Sequence, residues 1–369
     1  MENQHIPSPR NTREAVLLTL AYFDAQGLAL TAFDIWYNLV RFEASYKDVL
    51  AELTLLATPA GRADAIVHVA DGYYSLRSID AIKLRQIKHK VSEFKWRRAR
   101  IVSQLLSLVP FIEAVAVVDS VALNKAKPES DIDFFIVTRP GRVWTSRLIA
   151  TGLTHMLRLR RHGDAVRDRA CLSFYATSDA LDMHKLAIEG GDLYLAQWVN
   201  LVSPLWQRHG FDLIDELTTR NTWAAELFPQ RAGGELSDRR KTVAKLDRVT
   251  RPVQWLSEKV LATGLGTWLE QRVRKTQLKY MHKTAPYELK NRTSHIVISD
   301  QLLKFHEQDR RTWFRERTVA TYQMLLQGEP LGSTDVEIKF GLSGITSMSV
   351  QPVGATLIAA EPAITSSSA

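Results

Sequence analysis

Two aspartates one residue apart, Asp131 and Asp133, stand in the stretch FIEAVAVVDSVALNKAKPESDIDFFIVT, residues 111–138. Successive strand residues point to opposite faces, so on a strand the two carboxylates share one side and Ile132 takes the other. Like charges at that spacing repel and raise each other's proton affinity unless a cation lies between them. Oxygen-only donors suit Mg²⁺ or Mn²⁺, which keep several waters and bind phosphate oxygens at the same time. The plainer reading of a D-x-D tripeptide is that one aspartate caps a turn and the other is solvated.

The elements that must position this pair can be read around it. An apolar run from Ala114 to Val118 reaches a polar corner at Asp119 and Ser120, and a short connection follows. A second apolar run then carries Asp131 and Asp133 into Phe134–Thr138. Two β-strands joined by a compact connection is the simplest reading.

The stretch resembles the signature of the DNA polymerase β-like nucleotidyltransferase superfamily. There a strand ends in Gly-Ser or Gly-Gly, a helical turn follows, and D-x-D comes about ten residues later on the next strand. Here Ser120 stands ten residues before Ser130, which leads into Asp131. The surrounding sequence, from Trp96 to Trp206, is similar to bacterial nucleotidyltransferases with an N-terminal winged-helix-like part.

The resemblance implies metal-dependent transfer of a nucleoside monophosphate from an NTP such as ATP to an acceptor. Asp131 and Asp133 would hold Mg²⁺ or Mn²⁺, and Ser120 would donate to a phosphate oxygen. Two positions depart from the pattern. The family's glycine is Asp119, which adds a Cβ and a negative charge where the ligand is strongly negative. The third carboxylate is missing from the best-matching later strand, ACLSFYAT, where Ser173 aligns with it. Either Asp119 or Asp168 replaces that acid, or the protein is a pseudoenzyme, a nucleotide-binding or partner-docking module. On the ACLSFYAT strand, Cys171, Ser173 and Tyr175 are expected on one face and Leu172 and Phe174 on the other. Arg147 and Arg169 are candidates for binding phosphate oxygens, in a chain region that also carries Arg160, Arg161, His162 and Arg167.

A length of 369 residues allows two or three domains, each burying a core. The single cysteine, Cys171, excludes an intramolecular disulfide and a Cys-rich zinc site. With no signal-peptide pattern at the N-terminus and no run of about twenty apolar residues, a cytoplasmic location is expected. A net charge of +8 favours anionic partners.

In chain order, residues 1–80 are expected to form a winged-helix-like domain, with helices capped by Thr31 and Ser45 and a hairpin turning at Asp71-Gly72. Its third helix, SYKDVLAELTLL, sets one lysine against two acids, so DNA is not an expected partner. Residues 81–220 would be the nucleotidyltransferase-like domain. It opens with a basic helix whose apolar stripe is Val91, Phe94, Ile101 and Leu105, its basic side either solvated or rimming the metal site. A helix over 143–159 should turn Trp144, Leu148 and Met156 inward, and Asp179–Ile188 reads as helical. Pro204 should end the helix that begins at Asp192.

Residues 221–330 would be a C-terminal helical region, with a polar linker in its first part. Its amphipathic stretch 251–283 could lie on a membrane. The expectation is that it packs on its own domain, and a membrane is not an expected partner. Ser299 or Asp300 is read as the cap of a last helix, whose Asp309, Arg310 and Arg311 either bridge domains or reach the nucleotide. Residues 331–369 would be a flexible tail, with a possible strand at 346–358. The expected fold is thus α+β, a nucleotidyltransferase-like mixed sheet with helices between these flanking parts. The acceptor, whether small molecule, protein or RNA, leaves no mark in the sequence.

Overall fold

Alternation in the strands at residues 112–138 splits their side chains between two cores, and the sheet they build divides the molecule. The computed structural model describes residues 5–59, 66–77, 79–232, 247–284, 296–305 and 309–328. The expected tail, its strand at 346–358 and residues 233–246 of the polar linker lie outside the described residues, whereas Thr222–Leu227 and Pro229–Ala232 are helical and Ala224 and Phe228 are buried.

The N-terminal part holds α1 (Thr12–Ala25), β1 (Leu30–Thr31), α2 (Ala32–Tyr37), α3 (Tyr46–Leu56), β2 (Ala57–Pro59), β3 (Val67–Ala70) and β4 (Tyr73–Ser75). The Thr31 hydroxyl accepts from the Asp34 N–H while the Asp34 carboxylate accepts from the Thr31 N–H, a capping box that starts α2. The Ser45 hydroxyl caps α3 by accepting from the Asp48 N–H, without the reciprocal backbone bond. Asp71 at φ 50° and Gly72 at φ 75° turn β3 into β4, and the small sheet runs β1-β4-β3-β2.

A long helix, α4 (Ile79–Leu106), leads to β5 (Ile112–Val117), α5 (Asp119–Ala122), β6 (Ile132–Thr138), α6 (Val143–Met156) and β7 (Ala170–Thr177). Then come α7 (Leu193–Leu201), β8 (Ser203–Gln207), α8 (Leu213–Arg220), α9 (Thr222–Leu227) and α10 (Pro229–Ala232). The last described elements are α11 (Asp247–Leu261), α12 (Gly264–Thr284), β9 (Ile296–Ile298), β10 (Leu302–Phe305) and α13 (Arg311–Leu326). The main sheet has the order β8-β5-β6-β7-β10-β9, with β6 and β7 parallel and the other neighbours antiparallel. The fold is therefore α+β with a mixed sheet.

On one face Ala116, Phe135, Val137, Phe174 and Ala176 share a core with α1, α7 and α13. On the other, Val117, Phe134, Ile136, Leu172 and Tyr175 pack under α4, α6 and α12.

Several expectations need correction. In α4 the buried line is Trp96, Ala99, Val102 and Leu106, while Phe94 and Ile101 are exposed. In α6 only Trp144 of the three expected residues is inward; Leu148 and Met156 face solvent. The segment 179–188 holds only a 3-10 turn, Met183–Leu186. Helix α7 ends at Leu201, and Pro204 lies inside edge strand β8, where a missing N–H costs least. Ser299 and Asp300 form the turn between β9 and β10, and the helix begins only at Arg311.

Candidate functional site

Strand β5 runs out at Val118, and the next residue, Asp119, takes the left-handed backbone at φ 54°. That conformation favours glycine and is tolerated by aspartate, so the corner has a glycine-type geometry while carrying a carboxylate. The connection from α5 to β6 is braced by α4. Arg85 donates to the carbonyl of Leu123 at 3.2 Å and to that of Asn124, and Trp96 Nε1 donates to Asn124 Oδ1 at 3.2 Å. The Ala126 N–H donates to Ser92 Oγ, and Lys95 Nζ donates to the Ser130 carbonyl at 2.6 Å. The basic side of this helix is therefore in part a scaffold for the loop that delivers Asp131.

Ile132 enters the core under α4 and α6, which leaves Asp133 on the opposite face, toward α7. Ligand atoms of Asp131, Asp133 and Cys171 lie within 4.8 Å of one another. Cys171 is there because β6 and β7 are parallel and pair Asp133 with Cys171. The register then slips, so that Phe135 pairs with Phe174. This bulge breaks the expected alternation: Leu172 and Tyr175 enter one core and Phe174 the other. Ser173 hydrogen-bonds the Cys171 thiol instead of standing across from Asp133.

The charges here are poorly balanced. Burial, then Asp119, then Asp131 push the proton affinity of Asp133 well above the usual carboxylate range. Asp131 has a partner, Arg161 Nη1 at 2.8 Å, but that guanidinium is half-exposed and its bridge exchanges readily with solvent. Burial and the neighbouring Asp133 raise the Cys171 thiol, so it stays protonated. Two carboxylates and a thiol so placed form a donor set that could hold a metal ion.

Asp168 is not part of the cluster. It takes the fully buried Lys95 Nζ at 2.6 Å, so of the two candidates for the missing acid only Asp119 approaches Asp133. Tyr194 Oη donates to Asp119 Oδ1 at 3.0 Å.

Asp119, Ser120 and Asp133 line a cavity of about 380 Å³. Lys125, Lys304, Arg310 and Arg311 line the same cavity, and its aromatic lining includes Phe174, Tyr194, Trp198 and Phe314. Burial lowers Lys125 to about 8, with Asp119 working in the other direction; burial and then Arg311 lower Lys304. Arg311 is held between Asp192 at 2.8 Å and Asp309, so it is structural as well as cavity-lining. Tyr194 and Phe314 stack with centroids 5.2 Å apart, and the Arg310 guanidinium sits 5.8 Å over the Phe314 ring.

Arg147 lies elsewhere. It contacts Gln277 and sits 4.9 Å over the Phe305 ring, beside Tyr175 in the core on the other sheet face. Arg169 joins the sheet through its carbonyl, which accepts from the Ile132 N–H at 2.8 Å. Sequence reasoning assigned no site role to Cys171, Lys125, Tyr194, Lys304 or Phe314. Two of them had a local signal: Cys171, expected on the face of Ser173, and Lys125, five residues past Ser120. No protein-family model, curated protein or solved structure matches this chain.

Proposed function

We propose that the cavity binds a nucleoside triphosphate and that the protein transfers its nucleotidyl group to an acceptor hydroxyl or amine. The frame is a DNA polymerase β-like nucleotidyltransferase domain behind a winged-helix-like N-terminal domain. One observation carries the reading: an under-neutralised carboxylate cluster borders a cavity that is also lined by cationic and aromatic side chains. That is the charge pattern a metal-bound triphosphate complements.

Asp131 and Asp133 would hold Mg²⁺ or Mn²⁺; when bound, the ion neutralises carboxylates and phosphate oxygens together. Asp119 takes the acceptor's proton as its oxygen or nitrogen attacks the α-phosphorus. The bond to the bridging oxygen breaks and pyrophosphate leaves, with Lys125, Lys304 and Arg310 facing its charge. Ser120 donates to a phosphate oxygen. The Tyr194–Phe314 pair offers an aromatic surface for the base.

A second reading, a nucleotide-binding module without transfer, is favoured by Cys171 standing opposite Asp133 and by Arg161 on Asp131. Calorimetric titration of Mg-ATP should show binding to the wild type and at least tenfold weaker binding to Asp133→Asn. Equal binding by both sinks both readings. Binding without incorporation of α-labelled phosphate into any acceptor of a cell extract leaves only the second.

A further inference from the structure

Helix α11 and the first turns of α12 are turned the opposite way from an ordinary surface helix, whereas further along α12 Val273 and Met281 enter the core. Several polar residues of both helices point into the protein. Gln254 Nε2 donates to the Val109 carbonyl at 3.0 Å, and Glu258 accepts from the Phe111 N–H at 2.8 Å and pairs with Arg208. Glu270 accepts from the N–H groups of Trp144 and Thr145 at 2.9 and 2.8 Å, and Gln277 Nε2 donates to the Trp144 carbonyl at 3.0 Å. These contacts satisfy backbone groups at the end of α4, before β5 and at the start of α6, so they fix the face that looks inward.

Along α11 and at the start of α12 the larger apolar side chains are left outside. Val253, Trp255, Leu256, Val260, Leu265 and Trp268 are each about half exposed or more. The corner between the helices is tight: a Cβ on Gly266 would stand 1.6 Å from the Leu261 carbonyl oxygen, so only glycine fits there. Val260, Leu265 and Trp268 thus sit within about one turn of a fixed apex.

The exposed charge on the two helices themselves has one sign, and an acid from outside them, Asp300, is held by Arg274. Both acids of the segment 250–284, Glu258 and Glu270, are buried in the contacts above. The exposed charged residues described there are all cations: Arg251, Lys259, Arg272, Lys275, Lys279 and Lys283. Lys259 Nζ sits 3.9 Å over the Trp255 ring, and the Arg272 guanidinium 5.4 Å over Trp268. Indole and cation side by side match the boundary where acyl chains meet charged headgroups.

We infer that α11 and α12 seat this protein on the surface of an anionic lipid bilayer. The apolar outer face of α11 and of the first turns of α12 enters the headgroup and upper acyl region, the cations further along α12 meet the headgroups, and the buried carboxylates and amides hold the sheet against it. A second copy of the chain is the poorer occupant, because a two-fold contact would set the same cations against each other. Nucleic acid matches the charge but offers no hydrocarbon phase to a surface of valine, leucine and tryptophan. No helix among the described residues is long and apolar enough to cross a membrane, so the contact lies in the plane of the interface. The inference is independent of the reaction at the cavity.

Sedimentation of the full chain with sucrose-loaded vesicles tests it. The wild type should partition onto phosphatidylcholine–phosphatidylglycerol vesicles about tenfold or more strongly than onto phosphatidylcholine alone, and less so as salt is added. Trp255→Glu with Leu256→Glu should lower that partition about tenfold or more with an unchanged melting temperature, since both side chains are exposed. Lys275→Glu with Lys279→Glu should remove the preference for the anionic vesicles. The inference falls if vesicles of neither kind bind the protein, or if the variants bind as the wild type does. It also falls if vesicles are ignored while a concentration-dependent dimer disappears in the Trp255→Glu variant.

Discussion

Two groups of buried charge sit on either side of the loop that enters β7, and they are built on opposite plans. Around Asp168 every charge is matched: Lys95 donates to its carboxylate and to the Ser130 carbonyl, and Arg98 donates to its backbone oxygen. Around Asp133 the nearest charges are Asp119 and Asp131, and the nearest cation, Arg161, is engaged with Asp131. The first arrangement holds a loop in place. The second leaves negative charge uncompensated beside a cavity, which is a cost that a ligand can relieve.

The comparison breaks first at Lys95. Lys95→Met leaves the Asp168 carboxylate with only the exposed Arg167 and takes a donor from the carbonyls of Ser130 and Pro128, and should cost about 3 kcal/mol in denaturant unfolding. A change below about 0.5 kcal/mol would mean that the pair is decorative and that matched and unmatched regions do not differ in stability.

At Asp133 the sign reverses. Its folded proton affinity exceeds the unfolded one, so wild-type stability is lost as pH rises from the ordinary carboxylate value toward the raised one. Asp133→Asn should therefore unfold at higher urea than the wild type at pH 7, by on the order of 1 kcal/mol, and the gain should vanish near pH 3. Added Mg²⁺ should stabilise the wild type only. A variant that is less stable at pH 7 would place Asp133 with Asp168, among the structural charges.

The smallest effect is expected at Asp119. Asp119→Gly suits the backbone at φ 54° and removes one of the charges acting on Asp133. Mg-ATP should bind about threefold more tightly, roughly 0.7 kcal/mol, while transfer is lost. Weaker binding instead would make Asp119 a metal ligand.

What the sequence made legible was local. The caps at Thr31 and Ser45, the Asp71-Gly72 turn and the β5–β6 pair around D-x-D all follow from neighbours in the chain. What it hid was parity and distance. Alternation places Ser173 beside Cys171, yet one bulge decides that Cys171 stands opposite Asp133 and that Leu172 and Phe174 part. Lys304 reaches the cavity only because β10 pairs with β7, and β10 was taken for part of a helix. Arg147 reads as a phosphate binder by proximity in sequence, but helix α6 covers the other face of the sheet. The amphipathic pattern of 251–283 was visible, whereas its direction depended on backbone donors and acceptors at Val109, Phe111 and Trp144.

The slip in β7 has one further consequence. Cys171 and Phe174 are three residues apart, yet one approaches the carboxylates and the other lines the cavity. In a regular pleat, side chains at odd separation diverge. The extra residue therefore couples the acid end of the site to its aromatic end along a single strand. The span between them is set by backbone count, and substitutions that only resize either side chain leave it intact.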